Sequence, residues 1–531
     1  MRKYKYGLYA VCFGLMLSLN SCFNLDEEPF SEIIEEDYVP TTDDEVALLA
    51  TAYSPLRFIM DWYGYFDLQE ESGDAIVTPT RPNGWDDGGV YKKMHMHTWT
   101  NQQGQPQTTW SYCYKGINNA NKILKKAEEG FFRPESMDDV VAEVRAIRAL
   151  WYSILCDTHG NVPISKKFSD ELVPQSSRQE VFDFVIDEIN EVLPLLPTAV
   201  DKTTYGRLTQ WGAHCLLARM YLNAEVYTGT PAYDKALVEC NRIIESGLFS
   251  MEPVYRDIFK TNNENCVETI FAVPYDAVYN LPSDPNGPVF GMHMKWLSTD
   301  SRKVYNMQAS PWNGSGANPQ FINSYDPDDQ RLYDTWLQGP QKNSADEVVF
   351  EYVNKLPSLY KSDTFDGYRV GKYEIANGAK SALSNDFPYF RYTEVLLMKA
   401  ECLLRLGQKE QEAVDLVSEI RERAFQNHPE KAKVTVEWLK GDTHIQYGIL
   451  DEEGNIVDKG DQTPVKFGGL YDEWSWEFAC EARRRIDMIR FGTFQTKSWF
   501  NHKPVGNYAT LFPIHLDDLT TNPNLDQNPG Y

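Results

Sequence analysis

A chain of 531 residues with a formal net charge of −26 is long enough to bury a large core, and length alone is a prior for about three domains. The charge repels polyphosphate and no Lys/Arg cluster of DNA-binding size occurs, which excludes nucleic acid as a natural partner. Anionic polysaccharide is disfavoured for the same reason, unless a local basic pocket overrides the net field.

The chain opens as a leader. Arg2, Lys3 and Lys5 precede an apolar stretch from Gly7 to Leu19, and Leu19-Asn20-Ser21-Cys22 has the lipobox pattern with a less usual Asn20. The apolar run is shorter than the roughly 20 residues of a membrane-spanning helix, so residues 1–21 read as a cleaved lipoprotein signal peptide and Cys22 as the lipidated N-terminus. A plain secretory signal with Cys22 incidental is the alternative. Beyond Cys12 and Cys22, seven cysteines remain, an odd number with no CxxC, and most fall on apolar helix stripes. Buried free thiols fit this better than disulfides or a zinc site.

Helical hairpins follow. Val144, Ile147, Trp151 and Leu155 share one face of a helix near 138–156; Phe182, Val185, Ile189 and Leu193 share another. Trp211, Cys215, Ala218 and Leu222 mark a third. Thr230-Pro231 is expected to cap a fourth, which carries Ala236, Cys240 and Ile243 and stops at Gly247. Val395–Leu406, Gly407, then Ala413, Val417, Ile420 and Ala424 form a further pair. Such pairs are the unit of tetratricopeptide-like repeats, but they lie too far apart in sequence to form one uninterrupted solenoid. Residues 55–110 and 262–388 between them are irregular and rich in aromatics, Gly, Pro and Asn; loops that long are functional or disordered, and the dense tryptophans argue against disorder. Residues 441–467 read as a surface hairpin, with Ile445-Gln446-Tyr447 and Ile456-Val457 as strands and Glu453-Gly454-Asn455 at the turn.

Four stretches together resemble the SusD/RagB family of outer-membrane nutrient-binding lipoproteins. They are Glu143-Val144-Arg145-Ala146-Ile147-Arg148-Ala149-Leu150-Trp151-Tyr152 with His159-Gly160-Asn161-Val162-Pro163; Phe390-Arg391-Tyr392-Thr393-Glu394 running to Glu401; Trp476-Glu477-Phe478-Ala479-Cys480-Glu481 running to Gly492; and Leu511-Phe512-Pro513-Ile514 with Asn528-Pro529-Gly530-Tyr531. His515 departs from the proline common there. Asp26-Glu27-Glu28 after Cys22 resembles the acidic signal that sends Bacteroidetes lipoproteins to the cell surface. The resemblance implies a mainly α, SusD-like fold: a tether over 22–42 and one unit over 43–531, with helical-repeat segments at about 110–250, 388–428 and 468–495 and ligand-facing loops at about 55–109 and 262–388. It also implies an outer-membrane, lipid-anchored, surface-exposed protein that captures oligosaccharides, or peptides in RagB-like members. The partner implied is a SusC-type TonB-dependent transporter, which such a protein caps as a hinged lid without catalysis and without a cofactor. Within the signature stretches, Arg391 with Glu394 and Glu481 with Arg485 have the spacing of structural ion pairs on helices.

A saccharide is bound by laying rings on its C–H faces and aiming carboxylates, amides or guanidinium at its hydroxyls. Thr80-Arg81-Pro82-Asn83-Gly84-Trp85-Asp86-Asp87-Gly88-Gly89 has that make-up, which marks Trp85, Arg81 and Asp86 as ligand-binding candidates. Asp67 and Glu70 to Asp74 precede it and are expected at the same cleft. In His95-Met96-His97-Thr98-Trp99-Thr100-Asn101, an extended segment would put His95, His97 and Trp99 on one face; Trp99 and Asn101 are ligand candidates, and the histidines read as packing, since a third metal ligand is not evident. Trp296, Tyr305, Trp312 and Asn313 resemble in placement a second family group of ligand aromatics, and Arg369, more weakly Lys372, a strand arginine that faces ligand in some members. The competing classes are a surface glycosidase, which needs paired carboxylates across a cleft, and a peptide-holding scaffold. No HExxH, GxSxG or P-loop pattern occurs.

Overall fold

Helices carry the architecture of this computed structural model, which describes residues 40–82, 85–279 and 289–531. The leader, Cys22, Asp26-Glu27-Glu28 and most of the tether lie outside the described residues. In chain order the main helices are α1 (Thr42–Tyr53), α2 (Tyr65–Glu70), α3 (Val90–Met96), α4 (Gly104–Glu128), α5 (Met137–Thr158), α6 (Arg178–Val192), α7 (Gln210–Leu222) and α8 (Tyr233–Ser246). They continue with α9 (Met292–Trp296), α10 (Tyr392–Leu406), α11 (Glu410–Ala424), α12 (Gly468–Glu477) and α13 (Arg484–Phe491). None among the described residues is long and apolar enough to cross a membrane. Residues 44–531 form one compact unit.

Most of the apolar stripes read from periodicity are buried: Val144, Ile147, Trp151 and Leu155 on α5, and Val185 and Ile189 on α6, are all at 0 % exposure, whereas Trp211 is half-buried and Leu193 is half-buried in a 3₁₀ turn after α6. Close helix approach is written into α4. A methyl at Gly116 would stand 2.2 Å from the Trp151 indole, so only glycine admits the ring that α5 presses against it. Ser177 and Glu180 close a reciprocal capping box on α6, and Gly247 and Gly407 end α8 and α10 in the left-handed conformation. Thr230-Pro231 does not cap α8. Gly229 ends a short helix just before it, and the cap residue of α8 is Ala232. The seven cysteines from Cys113 onward are free thiols, six of them buried.

Strands are short, and those that position the elements below are β1 (Ile76–Val77), β2 (Thr269–Val273), β3 (Gly316–Ala317), β4 (Phe387–Arg391), β5 (Gly448–Leu450), β6 (Ile456–Asp458) and β7 (Trp499–Phe500). One pairing corrects the expectation that the hairpins are separated. β2 runs antiparallel to β4, from Thr269 opposite Arg391 to Val273 opposite Phe387, and clasps the base of the long excursion between them. α10 therefore packs directly on α8, and α4 to α8, α10 and α11 form one continuous row in space although over a hundred residues intervene. The hairpin at 441–467 forms, but as β5 against β6; Ile445 and Tyr447 precede it and are buried. β1 pairs with β3, which draws the first irregular region onto the second.

The signature stretches hold helices together, through partners other than those expected. Arg391 is extended and precedes α10, so it cannot pair along a helix with Glu394. It binds Glu268, Glu477 and Glu481 at 2.7–2.8 Å, while Glu394 binds Arg219 and Arg483. Likewise the chain leaves the helix between α12 and α13, with Cys480 and Ala482 at positive φ, and Arg485 reaches Asp157 instead of Glu481. Burial alone would raise the Glu477 carboxyl, but the guanidinium groups of Arg423, Arg391 and Arg331 hold it below the usual carboxylate range.

Candidate functional site

Three segments distant in sequence meet at one surface groove of about 610 Å³, lined among others by Trp62, Trp85, Trp312, Asp86 and Asp87. Trp62 follows the short 3₁₀ turn Ser54–Met60, Trp85 lies in the loop before α3, and Trp312 in the loop after α9. Their ring centroids are 5.3–5.6 Å apart and their planes are inclined by 69–77°, so each ring abuts the other two edge to face. Trp62 and Trp312 keep 37 % and 38 % of their surface open, a large exposure for so costly a surface, while Trp85 is half-buried behind them against Tyr91. The arrangement is a corner of π faces with acidic and hydroxyl groups on its rim: Asp86, Asp87, Thr299 and Ser310. Asp86 accepts a hydrogen bond from the Thr80 hydroxyl at 2.7 Å and an ion pair from Lys92, which together hold its carboxyl below the ordinary value.

Buried polar side chains hold this corner from beneath. The Trp312 turn is pinned to α9 by backbone bonds: Trp312 N–H donates to Met294 O and Gly314 N–H to Lys295 O, both at 2.7 Å, and Asn313 N–H to Leu297 O at 2.9 Å. Arg81 Nε donates to Gly314 O at 2.9 Å, and Arg369 Nη2 donates to Asn313 Oδ1 at 3.0 Å. Lys295 is fully buried, bonded to Asp67 Oδ1 at 2.6 Å and Glu71 Oε1 at 2.7 Å, with its ammonium 3.9 Å from the centre of the Tyr91 ring. Asp67 in turn accepts from the Tyr63 N–H at 2.7 Å, next to Trp62. Burial raises the Asp67 carboxyl even against Lys295. One polar frame thus fixes all three tryptophan segments.

Of the residues marked in the sequence, the structure brings Trp85, Asp86 and Trp312 to the groove. Arg81, Arg369 and Asp67 are 4 %, 0 % and 0 % exposed and bond into the frame beneath the groove rather than facing it, although Arg81 Nη2 and Arg369 Nε are buried without a hydrogen-bond partner among the described residues. Trp296 is buried at 1 % against Tyr373 and Phe66, because α9 turns it inward. Trp99 is buried with its indole N–H donating to the Tyr531 hydroxyl at 2.6 Å, and the Asn101 carbonyl accepts from Leu516 N–H; both hold the C-terminal segment, away from the groove. Glu70 and Asp74 face inward to the α13 entry, accepting from Arg483 N–H and Arg484 Nε, and Lys372 is buried on Glu481. The segment at His95 is not extended: α3 runs to Met96 and His97 ends it at positive φ, so His95, His97 and Trp99 do not share a strand face. His502 joins the two histidines, its ring centre 4.1 Å from that of His97. Among the described residues no group of three or more His, Cys, Asp or Glu is arranged to hold a metal ion. Trp62 lies in the aromatic-rich region 55–110 but is not singled out there, because Met60-Asp61-Trp62-Tyr63-Gly64 lacks the Pro, Asn and Gly run that surrounds Trp85. A second hollow of about 410 Å³ has Val46, Leu49, Leu56 and Val273 in its lining together with Tyr53, Tyr205 and Arg207, and it contains no tryptophan.

The fold and its signature stretches define a mainly α helical-repeat protein with an aromatic groove on its irregular half, and comparison with known proteins agrees. Residues 267–531 match the SusD family model, and residues 69–222 match a model described as "Starch-binding associating with outer membrane". The chain belongs to the SusD/RagB family. It is 24 % identical over 501 residues to the starch-binding protein SusD of Bacteroides thetaiotaomicron, covering 84 % of this chain and 82 % of that one. Among solved structures it resembles surface glycan-binding protein A of Bacteroides thetaiotaomicron in complex with laminarihexaose, with TM-score 0.67, 19 % identity and coverage of 92 % and 100 %. It also resembles NanU of B. fragilis, with TM-score 0.71, 19 % identity and coverage of 95 % and 99 %.

Proposed function

We propose that this chain is a non-catalytic glycan-binding lipoprotein of the outer membrane, which captures oligosaccharides on the Trp62–Trp85–Trp312 corner and passes them to a SusC-type TonB-dependent transporter as its lid. The observation that carries the reading is the pair of open indole faces held rigidly at the groove. Pre-fixed rings lose little freedom when a sugar stacks on them, so their contact area is available for binding. The names of the relatives, a starch-binding protein and a glycan-binding protein with laminarihexaose, point the same way. The rim argues against hydrolysis. A glycosidase sets two carboxylates about 5–9.5 Å apart on opposite sides of the scissile bond; here the lining carboxylates, Asp86 and Asp87, are sequence neighbours on one rim, and Asp86 is tied to Lys92. The lipid anchor at Cys22, surface exposure and the transporter rest on the family and on the leader sequence.

The test uses protein beginning after Cys22, run through native gels containing laminarin, amylopectin, yeast mannan or inulin, with each polymer then checked for fragments by chromatography. Retardation by a polymer that stays intact is the expected result. Trp312→Ala is expected to weaken that interaction by about 1–3 kcal/mol, the usual cost of removing an aromatic anchor, with little change in melting temperature. Release of fragments would replace the reading with an enzyme, and no retardation by any of the four would overturn it in favour of peptide capture.

A further inference from the structure

Asp87 stands apart from the other charged groups at the groove. It lines the pocket beside the open tryptophans and is exposed, and its carboxylate has no hydrogen bond or ion pair among the described residues, whereas neighbouring Asp86 is neutralised by Lys92. Asp87 also has a left-handed backbone, φ 45°, a conformation that side chains other than glycine, asparagine and aspartate adopt only at a cost. Among the described residues no Lys or Arg lines the groove. Among the described lining residues the uncompensated charge is therefore that of Asp87, held in place by the Asp87-Gly88-Gly89 turn.

We propose that Asp87 is the specificity residue of the groove and sets its charge preference: neutral saccharides, and those bearing an ammonium group, are admitted, while saccharides bearing carboxylate or sulfate are rejected. This rests on the glycan-binding reading above. A like charge placed about 5–6 Å away in a water-like medium weakens binding about two- to fourfold, and a Debye length of about 8 Å at physiological salt leaves much of that effect in place. The effect fades near 1 M salt, where screening is about 3 Å.

Two measurements on wild type and Asp87→Asn test it. Asparagine keeps the shape and tolerates the left-handed turn, and equal melting temperatures verify that the variant folds. The first measurement needs no saccharide. Quenching of tryptophan fluorescence by iodide, relative to neutral acrylamide, reports the charge beside the accessible indoles; Trp62 and Trp312 are the most open, Trp85, Trp211 and Trp438 are half-buried, and the change from wild type to Asp87→Asn isolates the rings beside Asp87. Asp87→Asn is expected to raise the iodide-to-acrylamide ratio at low salt, by about two- to threefold for the groove rings and by less in the whole-protein signal, to which Trp211 and Trp438 also contribute. The second compares gel retardation by laminarin, amylopectin, mannan and inulin with that by the carboxymethyl derivative of each. Wild type is expected to bind the neutral form more tightly, and Asp87→Asn to narrow the gap about two- to fourfold at low salt but not at 1 M. An unchanged quenching ratio and an unchanged gap, with neutral binding still lost in Trp312→Ala, would overturn the role of Asp87 and leave the glycan-binding reading standing. Retardation by none of the polymers would overturn both.

Discussion

Gly314 lets the Trp312 turn approach Trp85 closely. A methyl there would stand 2.8 Å from the Lys295 carbonyl and 3.0 Å from the Trp85 ring. Neither can yield cheaply, since the carbonyl accepts the Gly314 N–H and the ring is wedged between Trp62, Trp312 and Tyr91. Gly314→Ala is expected to push Trp85 out of place, with an overpacking cost of about 1–3 kcal/mol in stability and a loss of saccharide binding out of proportion to it. Chemical denaturation beside a gel-shift titration checks this, and wild-type affinity in the variant would show that Trp85 is not part of the surface. The same scale shows what sequence could and could not reveal. Trp85 and Trp312 were legible because they stand in Gly/Pro/Asn-rich stretches that give an indole no periodic apolar neighbours. Arg81, Arg369 and Asp67 were legible as polar groups near the site but not in direction, because which side of a turn a side chain takes depends on the strand pairing β1–β3 and on α9 beneath it. Trp62 carried only the regional signal of the aromatic-rich 55–110 stretch; contact with Trp85 and Trp312 makes it a site residue.

At the scale of elements, two packed assemblies make separate demands on stability. The first joins β4, α11 and α12 through Arg391, Arg423, Glu268 and Glu477, all buried. Removing one partner leaves carboxylates in the core without compensation, so Arg391→Met is expected to cost about 3–5 kcal/mol in denaturant unfolding; a loss below about 1 kcal/mol would mean the network is replaceable. The second is the packing of His95, His97 and His502 at the end of α3 and beside β7. Burial pushes His95 and His97 down to about 3 and His502 well below its ordinary value. In the unfolded chain these rings titrate near 6.5, so between about pH 3 and 6.5 the unfolded state binds more protons and stability falls as pH falls. Each ring is worth up to about 2 kcal/mol at pH 5 by that linkage. Neither His95 ring nitrogen has a hydrogen-bond partner among the described residues, so His95→Leu removes a titrating group without breaking a bond. The fall in melting temperature from pH 7.5 to pH 5 should be smaller in His95→Leu than in wild type; equal falls would contradict the burial of a neutral ring. Element positions were largely readable from apolar spacing and glycine stops. The exceptions have local causes: Gly229 ended a helix where Thr230 was expected to begin one, and the extended entry to α10 withdrew Arg391 from its expected helical partner.

At the scale of the molecule, the antiparallel clasp of β2 on β4 explains how one chain combines a helical row with a broad irregular surface. The clasp returns the chain to the row after the excursion, so α10 continues from α8 while the loops between them are free to build the groove with the 55–110 region. The repeat units were visible in sequence; their continuity was not, because it depends on a pairing more than a hundred residues apart. The central claim is that the open faces of Trp62 and Trp312 are the saccharide-binding surface. The most direct measurement is gel retardation by the polysaccharide that wild type binds, applied to the Trp62→Ala/Trp312→Ala double variant with its melting temperature recorded. The account predicts that retardation disappears while the fold and its melting temperature persist. Wild-type retardation in a folded double variant would contradict it and move the binding surface elsewhere on the molecule.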